Sequence, residues 1–404
     1  MSAIRSYARR RSGPRSLASS GVEPRKQNVT GRHVLVALLA LGAAVGATAC
    51  AGAPERAAAR EPELQRALDQ LVAAGAPGAI ALVREGDRTI RFTSGYGTLE
   101  PRARLRASDR FRVGSVTKTF VATVVLQLVG EGKLALEDTV ERWLPGLVPN
   151  GRAITVRHLL NHTAGLFDYL GDGDKTVEGR VLSGDWNYRW RPRELVAIST
   201  AHKPTFAPGA GWSYCNTCYI LLGLIVEEAT GNSMATELRT RVFEPAGLRA
   251  TSFDTGPRIS GRHARGYELL GKPPPVDFSA LSPSLAWTAG AIVSTADDLA
   301  RFYRTLLGGR LLRPDLLRKM QTTVPVAARP GWRWGLGINK RPSACGAQWG
   351  HDGGYPGYRT WALNSRDGKR QIVVFTNFGE DSSSEPVEQA LERVLVTAYC
   401  SSRR

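Results

Sequence analysis

Arg359-Thr360-Trp361-Ala362-Leu363 and Gln371-Ile372-Val373-Val374-Phe375 are two apolar, β-prone runs separated by Arg366-Asp367-Gly368, a turn sequence. A helical pattern over 385–399 follows them. The other end of the chain repeats this design in reverse. Leu64, Leu68, Leu71 and Val72 recur at the spacing of one helix face. After them, Ala79-Ile80-Ala81-Leu82-Val83 and Thr89-Ile90-Arg91-Phe92 flank Gly86-Asp87, a hairpin signal. Between the two ends the pattern is mostly helical, at 119–129, 156–160 and 219–229, broken by loops rich in Pro and Gly. These features predict an α/β (α+β) fold, with an antiparallel sheet built from both chain ends, flanked by terminal helices, and an inserted all-helical domain. The sheet subdomain is expected over about 61–115 and 285–404 and the helical one over about 116–284. No internal repeat is found.

With 42% apolar and 22% charged residues over a length of 404, the composition excludes collagen-like, coiled-coil and wholly disordered classes. The formal charge is +18, but residues 1–49 carry eight basic groups against one acid, leaving +11 on the rest. Those eight, Arg5 to Arg32, precede an uncharged apolar run over 34–49 that ends in Ala47-Thr48-Ala49. At 16 residues the run is shorter than the roughly 20 needed to cross a bilayer. Residues 1–49 therefore read as a signal peptide, and the protein is expected to be extracytoplasmic. Cys50 follows at once, so the site also reads as a lipoprotein cleavage box, with Ala47 where such boxes usually carry a large aliphatic. Secretion and a membrane tether through a lipidated Cys50 both stay open. An Ala/Glu/Arg stretch, 50–60, reads as linker.

Five cysteines make an odd count, which lipidation of Cys50 would resolve. Cys345 and Cys400 are then the natural long-range disulfide, tying the C-terminal segment to the body with about 4 kcal/mol of chain-entropy stabilisation. Cys215 and Cys218 have CxxC spacing with no second pair to complete a zinc site. They read as a local disulfide or as two buried thiols.

The chemistry centres on Gly114-Ser115-Val116-Thr117-Lys118, which opens an apolar helix. Residues three apart share a helix face, so Lys118 can lie beside the Ser115 hydroxyl, while the helix N-terminus offers free N–H groups and partial positive charge. A serine needs such help, because its hydroxyl attacks only when a base takes the proton and donors receive the oxyanion. Of nine lysines, only Lys118 has Ser three positions before it. Downstream, Tyr214-Cys215-Asn216 leads out of a Gly-rich loop, and a phenol near a lysine is a plausible proton shuttle. A third element, Gly350-His351-Asp352-Gly353-Gly354, has glycines that let backbone approach a ligand closely.

Together and in this order, the three resemble the SxxK, YxN and HxG signatures of serine β-lactamase-like hydrolases, the group containing class C β-lactamases and serine D-alanyl-D-alanine carboxypeptidases. The likeness extends to the phrases Val156-Arg157-His158-Leu159-Leu160-Asn161-His162-Thr163-Ala164-Gly165-Leu166 and Ser294-Thr295-Ala296-Asp297-Asp298-Leu299, and covers roughly 64–400. The resemblance implies a β-lactamase/transpeptidase-like fold with the site between sheet and helices. It implies Ser115 as acylated nucleophile, Lys118 as its activating partner and Tyr214 as general acid–base. It also implies Asn216, His351 and Gly353 at the substrate, and the N–H groups of Ser115 and Gly354 as oxyanion hole. The expected substrate is a small molecule or peptide: a peptidoglycan stem peptide, a β-lactam or an ester. No metal and no organic cofactor is implied.

Two positions depart from the pattern. Asp352 stands where relatives usually place a hydroxyl that helps hold the substrate carboxylate, and an inward acid would repel that carboxylate, so that esters or uncharged amides are expected as readily as peptidyl-D-Ala-D-Ala. Cys215 replaces the more usual Ser or Gly. Elsewhere, His158 and His162 are four apart, as zinc ligands can be, but lack the Glu and third ligand of a zinc motif. Trp186, Tyr188 and Trp190 interleave with Arg189 and Arg191 without any nucleic-acid-binding motif, and read as packing or a loop by the cleft. The +11 body charge suits anionic envelope polymers and equally an ordinary solvated surface.

Overall fold

The apolar runs at the chain ends pair with each other in a computed structural model that describes residues 52–400 apart from 172–173, 272, 380–381 and 383. The first strands are β1 (Gly78–Glu85), β2 (Arg88–Leu99) and β3 (Arg102–Arg104). Short strands follow: β4 (Phe111–Arg112), β5 (Ser252–Phe253), β6 (Tyr267–Glu268), β7 (Val276–Asp277) and β8 (Ile292–Ser294). The C-terminal part supplies β9 (Val324–Pro325), β10 (Arg333–Trp334), β11 (Asn339–Arg341), β12 (Gln348–Tyr355), β13 (Tyr358–Asn364) and β14 (Arg370–Thr376). The main sheet has nine strands in the order β3-β2-β1-β14-β13-β12-β11-β10-β9. Its two chain ends meet in an antiparallel pairing of β1 with β14, running from Ala79 opposite Thr376 to Glu85 opposite Arg370. The expected hairpins at 86–87 and 366–368 are both present. Smaller sheets, β4-β8-β5 and β6-β7, complete the strand set.

Why these strands carry continuous rather than alternating apolar residues follows from burial on both faces. Successive side chains point to opposite sides of a strand. Thus Ala79 and Ala81 join Trp361, Leu363, Ile372 and Val374 under the terminal helices, whereas Ile80, Leu82, Ala362, Val373 and Phe375 face the larger core. The terminal helices are α1 (Gly52–Ala73) and, numbering the long helices only, α5 (Glu385–Cys400). α1 takes in residues 52–60 of the stretch read as linker, whose Ala, Glu and Arg are good helix formers. On the opposite face lie α2 (Thr117–Gly130), α3 (Asn216–Thr230) and α4 (Ala296–Leu307). α2 is buried almost all round, with Phe120 stacked 3.6 Å from Phe302. No helix among the described residues is long and apolar enough to cross a membrane.

Candidate active site

Ser115 sits in a single tight turn, Gly114–Val116, that runs into α2. Gly114 is in the left-handed region (φ 52°), and a Cβ there would lie 2.5 Å from the Gly354 carbonyl oxygen. Likewise a Cβ on Gly353 would lie 2.0 Å from the Val113 carbonyl and 3.0 Å from the Ser115 nitrogen. The glycines of the third motif therefore let β12 press its backbone against the turn that carries Ser115. Gly353 and Gly354 thus lie against the backbone of residues 113–115.

Lys118, one turn on, is fully buried and joins the first two motifs. Its Nζ lies 3.0 Å from Ser115 Oγ, 2.8 Å from Asn216 Oδ1 and 2.7 Å from the Ala289 carbonyl. The two shorter contacts go to groups that can only accept. A neutral amine has two N–H donors and one lone pair, so it can satisfy Asn216 and Ala289 while receiving the Ser115 proton. An ammonium donates to all three. One geometry thus serves both protonation states, which is what a base for Ser115 requires.

Asn216 opens α3, and its Nδ2 donates to Asp168 Oδ2 over 2.8 Å. Since a carboxylate accepts only, this contact fixes the amide with Oδ1 toward Lys118. Burial raises the Asp168 carboxyl above its usual range, opposed by the N–H of Leu170, by Asn216 and by the charge of Lys118. Sequence reasoning missed Asp168, and the Ala289 carbonyl with it. The only signal in the sequence was an acid between two aromatics, Phe167 and Tyr169.

Tyr214 is partly exposed, its ring centroid 4.9 Å from Lys118 Nζ. It packs on His162 at 4.6 Å and on Trp334 at 5.6 Å, with His351 at 6.4 Å. Tyr219, also near Lys118, is buried and donates to the Leu160 carbonyl. Burial pushes the Tyr219 phenol up, and its proton is committed to that carbonyl. His351 turns Nδ1 to the Asp352 carbonyl. His158 and His162, the two histidines four apart, have separate work. His158 accepts the Thr155 N–H through Nδ1, and burial holds its pKa below the ordinary value. His162 accepts the Cys215 N–H over 3.1 Å and thereby braces the Tyr214 loop.

Cys215 and Cys218 are joined as a disulfide, as are Cys345 and Cys400. The first selects between the two sequence readings and sits within the Tyr-x-Asn motif. Cys215 Sγ also accepts the Cys218 N–H, capping α3. Cys50 lies outside the described residues. Trp186 packs on Phe278, and Tyr188 on Trp190 with Arg180 over its ring.

Two cavities meet at Gly354. One, of about 90 Å³, is bounded by Ser115 and Asn216 and by mostly apolar side chains. The other, of about 750 Å³, runs along the far side of β12 past Asp352, Arg341 and Arg359. Asp352 pairs in register with Trp361, whose face is that of the terminal helices. The acid is thus turned away from Ser115 and lines the second of these two cavities and not the first. Arg341 shares that cavity and is held down to about 10 by burial, against the opposing charge of Asp352.

Comparison with known proteins shows the family and the fold. The chain is 38% identical to a D-stereospecific amidohydrolase from Streptomyces sp., with a TM-score of 0.76 over 84% of this chain and 98% of that one. It is 30% identical to esterase EstB of Burkholderia gladioli, over 78% of this chain and 89% of the relative. To penicillin-binding protein 4* of Bacillus subtilis (strain 168) it is 28% identical, over 79% and 72%. A family model described as Beta-lactamase matches residues 64–396, and the chain belongs to that family of serine hydrolases.

Proposed function

We propose that this protein hydrolyses amide or ester carbonyls through an acyl-enzyme on Ser115, with small D-amino-acid amides and short peptides as its first substrate class. The observation that carries the reading is the buried Lys118 bridge between Ser115 Oγ and Asn216 Oδ1 at the mouth of a pocket. Ser115 Oγ bonds to the substrate carbonyl carbon as its proton passes to Lys118. The oxyanion is received by the N–H groups of Ser115 and Gly354. Collapse breaks the bond to the leaving amine or alcohol, which takes a proton by way of Tyr214. Water then attacks the ester, its proton returning through the same groups, and Ser115 is restored. Asn216 Nδ2 keeps a second hydrogen with which to hold the acyl portion.

The substrate class follows the amidohydrolase named above, which is more similar to this chain than the penicillin-binding relative is. The carboxypeptidase reading, on peptidoglycan stem peptides at the envelope, rests on that latter likeness and on the leader. Export by cleavage after Ala49, with or without lipid on Cys50, remains part of the proposal and is checked by the mass of the mature N-terminus. The chemical test is intact mass over time with a penicillin, beside turnover of D- and L-phenylalanine amide, for wild type and Ser115→Ala. D-amide turnover lost by a factor of about 10⁴ or more in Ser115→Ala supports the proposal. A lasting penicillin adduct without amide turnover would move the assignment to the carboxypeptidase side. Full turnover by Ser115→Ala would end it.

A further inference from the structure

The 90 Å³ pocket beside Ser115 has an uneven chemistry. Leu170, Val177, Val181, Leu285, Tyr355 and Pro356 give it apolar walls. Two carboxylates, Glu178 and Glu268, are set among them, and no Lys, Arg or His lines it. The two acids differ in their engagement. Glu268 is buried and accepts from the Gly357 N–H over 2.8 Å and from the Ser382 hydroxyl, so its place is explained by the backbone it anchors. Glu178 is partly exposed in the first turn of the short helix Thr176–Leu182 and makes no hydrogen bond or ion pair among the described residues. A carboxylate without a partner beside apolar walls attracts a cation strongly, because the low-dielectric surface screens it poorly.

We infer that Glu178 receives an ammonium group on the acyl part of the substrate, so that the pocket selects α-amino acyl groups with a free amine and a compact apolar side chain. This rests on the proposed acyl-enzyme reading and specifies its acyl subsite. The placement follows from the site. The scissile carbonyl lies between Ser115 and Gly354, and Asn216 borders the same pocket as Glu178, so one part of the substrate must occupy that pocket. Asn216 holds the acyl portion, so the part that enters this pocket is the acyl one rather than the leaving group. An N-acylated amine carries no charge for Glu178 and places a polar amide against Val177 and Val181, a cost with no matching gain. An acyl part bearing a carboxylate is repelled.

The experiment separates binding from turnover. In the Ser115→Ala protein, calorimetry measures D-phenylalanine amide and N-acetyl-D-phenylalanine amide, with and without Glu178→Gln. The expected result is an affinity for the free amine about tenfold above the acetylated one, lost when Glu178 is replaced. Equal affinities, or a preference unchanged by Glu178→Gln, would overturn the inference. Glu178→Asp, which keeps the charge on a shorter stem, should restore part of the preference, as a merely structural role for Glu178 would not. Failure of wild type to turn over either amide while this binding pattern holds would instead count against the acyl-enzyme proposal.

Discussion

At Asn216 a single amide serves two neighbours of opposite demand, and only one orientation satisfies both. Nδ2 must meet the Asp168 carboxylate and Oδ1 the Lys118 amine. Asp168 touches none of the reacting atoms, yet it decides which end of Asn216 faces the base. Because burial raises its carboxyl, protonation of Asp168 on acidification begins above the usual carboxylate range near 3.9. Activity should therefore fall on the acid side as the charge that fixes Asn216 is lost. In Asp168→Asn one donor at this position must meet another, since both oxygens are used as acceptors. A drop in kcat/KM of about tenfold or more is expected, with the acid limb flattened. A pH–rate profile of both proteins tests this, and an unchanged limb would remove Asp168 from the account. Linkage has the opposite sign for stability: a raised folded pKa means that wild type loses stability as pH rises through it from about 4. Nothing local in the sequence announced this residue, because its partner lies 48 positions away and meets it only in the fold.

Elements explain why the rest of the site was readable. Ser115 and Lys118 share one helical turn, so their proximity is fixed by helix geometry alone. The terminal hairpins declare themselves through β-branched runs around turn dipeptides, and pairing of β1 with β14 follows because both are apolar on two faces. Facing is different. The residue type at 352 suggested a charge in the cleft, whereas strand register turns Asp352 to the opposite side. A one-residue shift in register would have reversed that outcome. The contact between the Ser115 turn and β12 is equally a matter of elements, since it requires the absence of side chains at Gly114 and Gly353. In Gly353→Ala the new methyl meets main chain on two sides, which cannot yield as a side-chain tip does. A stability loss of about 1–3 kcal/mol is expected from the overpacking. A larger relative loss, about 10²-fold in kcat/KM, is expected because the oxyanion donors separate. Thermal unfolding beside ester kinetics measures both, and a fully active variant would place the oxyanion site elsewhere.

Over the whole molecule the two disulfides do unlike jobs, and their removal should tell them apart. Cys345–Cys400 spans 55 positions and fastens α5 near β12, so the chain on which the sheet closes is held at its last turn. Chain entropy assigns such a loop about 4 kcal/mol. The Cys215–Cys218 loop spans 3 positions, for which the same relation gives under about 2 kcal/mol, and the lost α3 cap adds about 1. One end of the short bridge, Cys215, however, lies between Tyr214 and Asn216, while the long bridge includes no residue of that motif. Replacing Cys345 and Cys400 by Ala should lower the denaturation midpoint substantially and leave kcat/KM within about twofold, since additivity holds for groups far from the site. Replacing Cys215 and Cys218 by Ala should cost less stability but reduce kcat/KM by about tenfold, because Tyr214 and Asn216 lose the constraint that sets their distance from Lys118. Denaturant unfolding and kinetics on both double variants decide it. An activity loss confined to the Cys345/Cys400 variant would mean that the terminal helices, rather than the bridge inside the motif, hold the site in register.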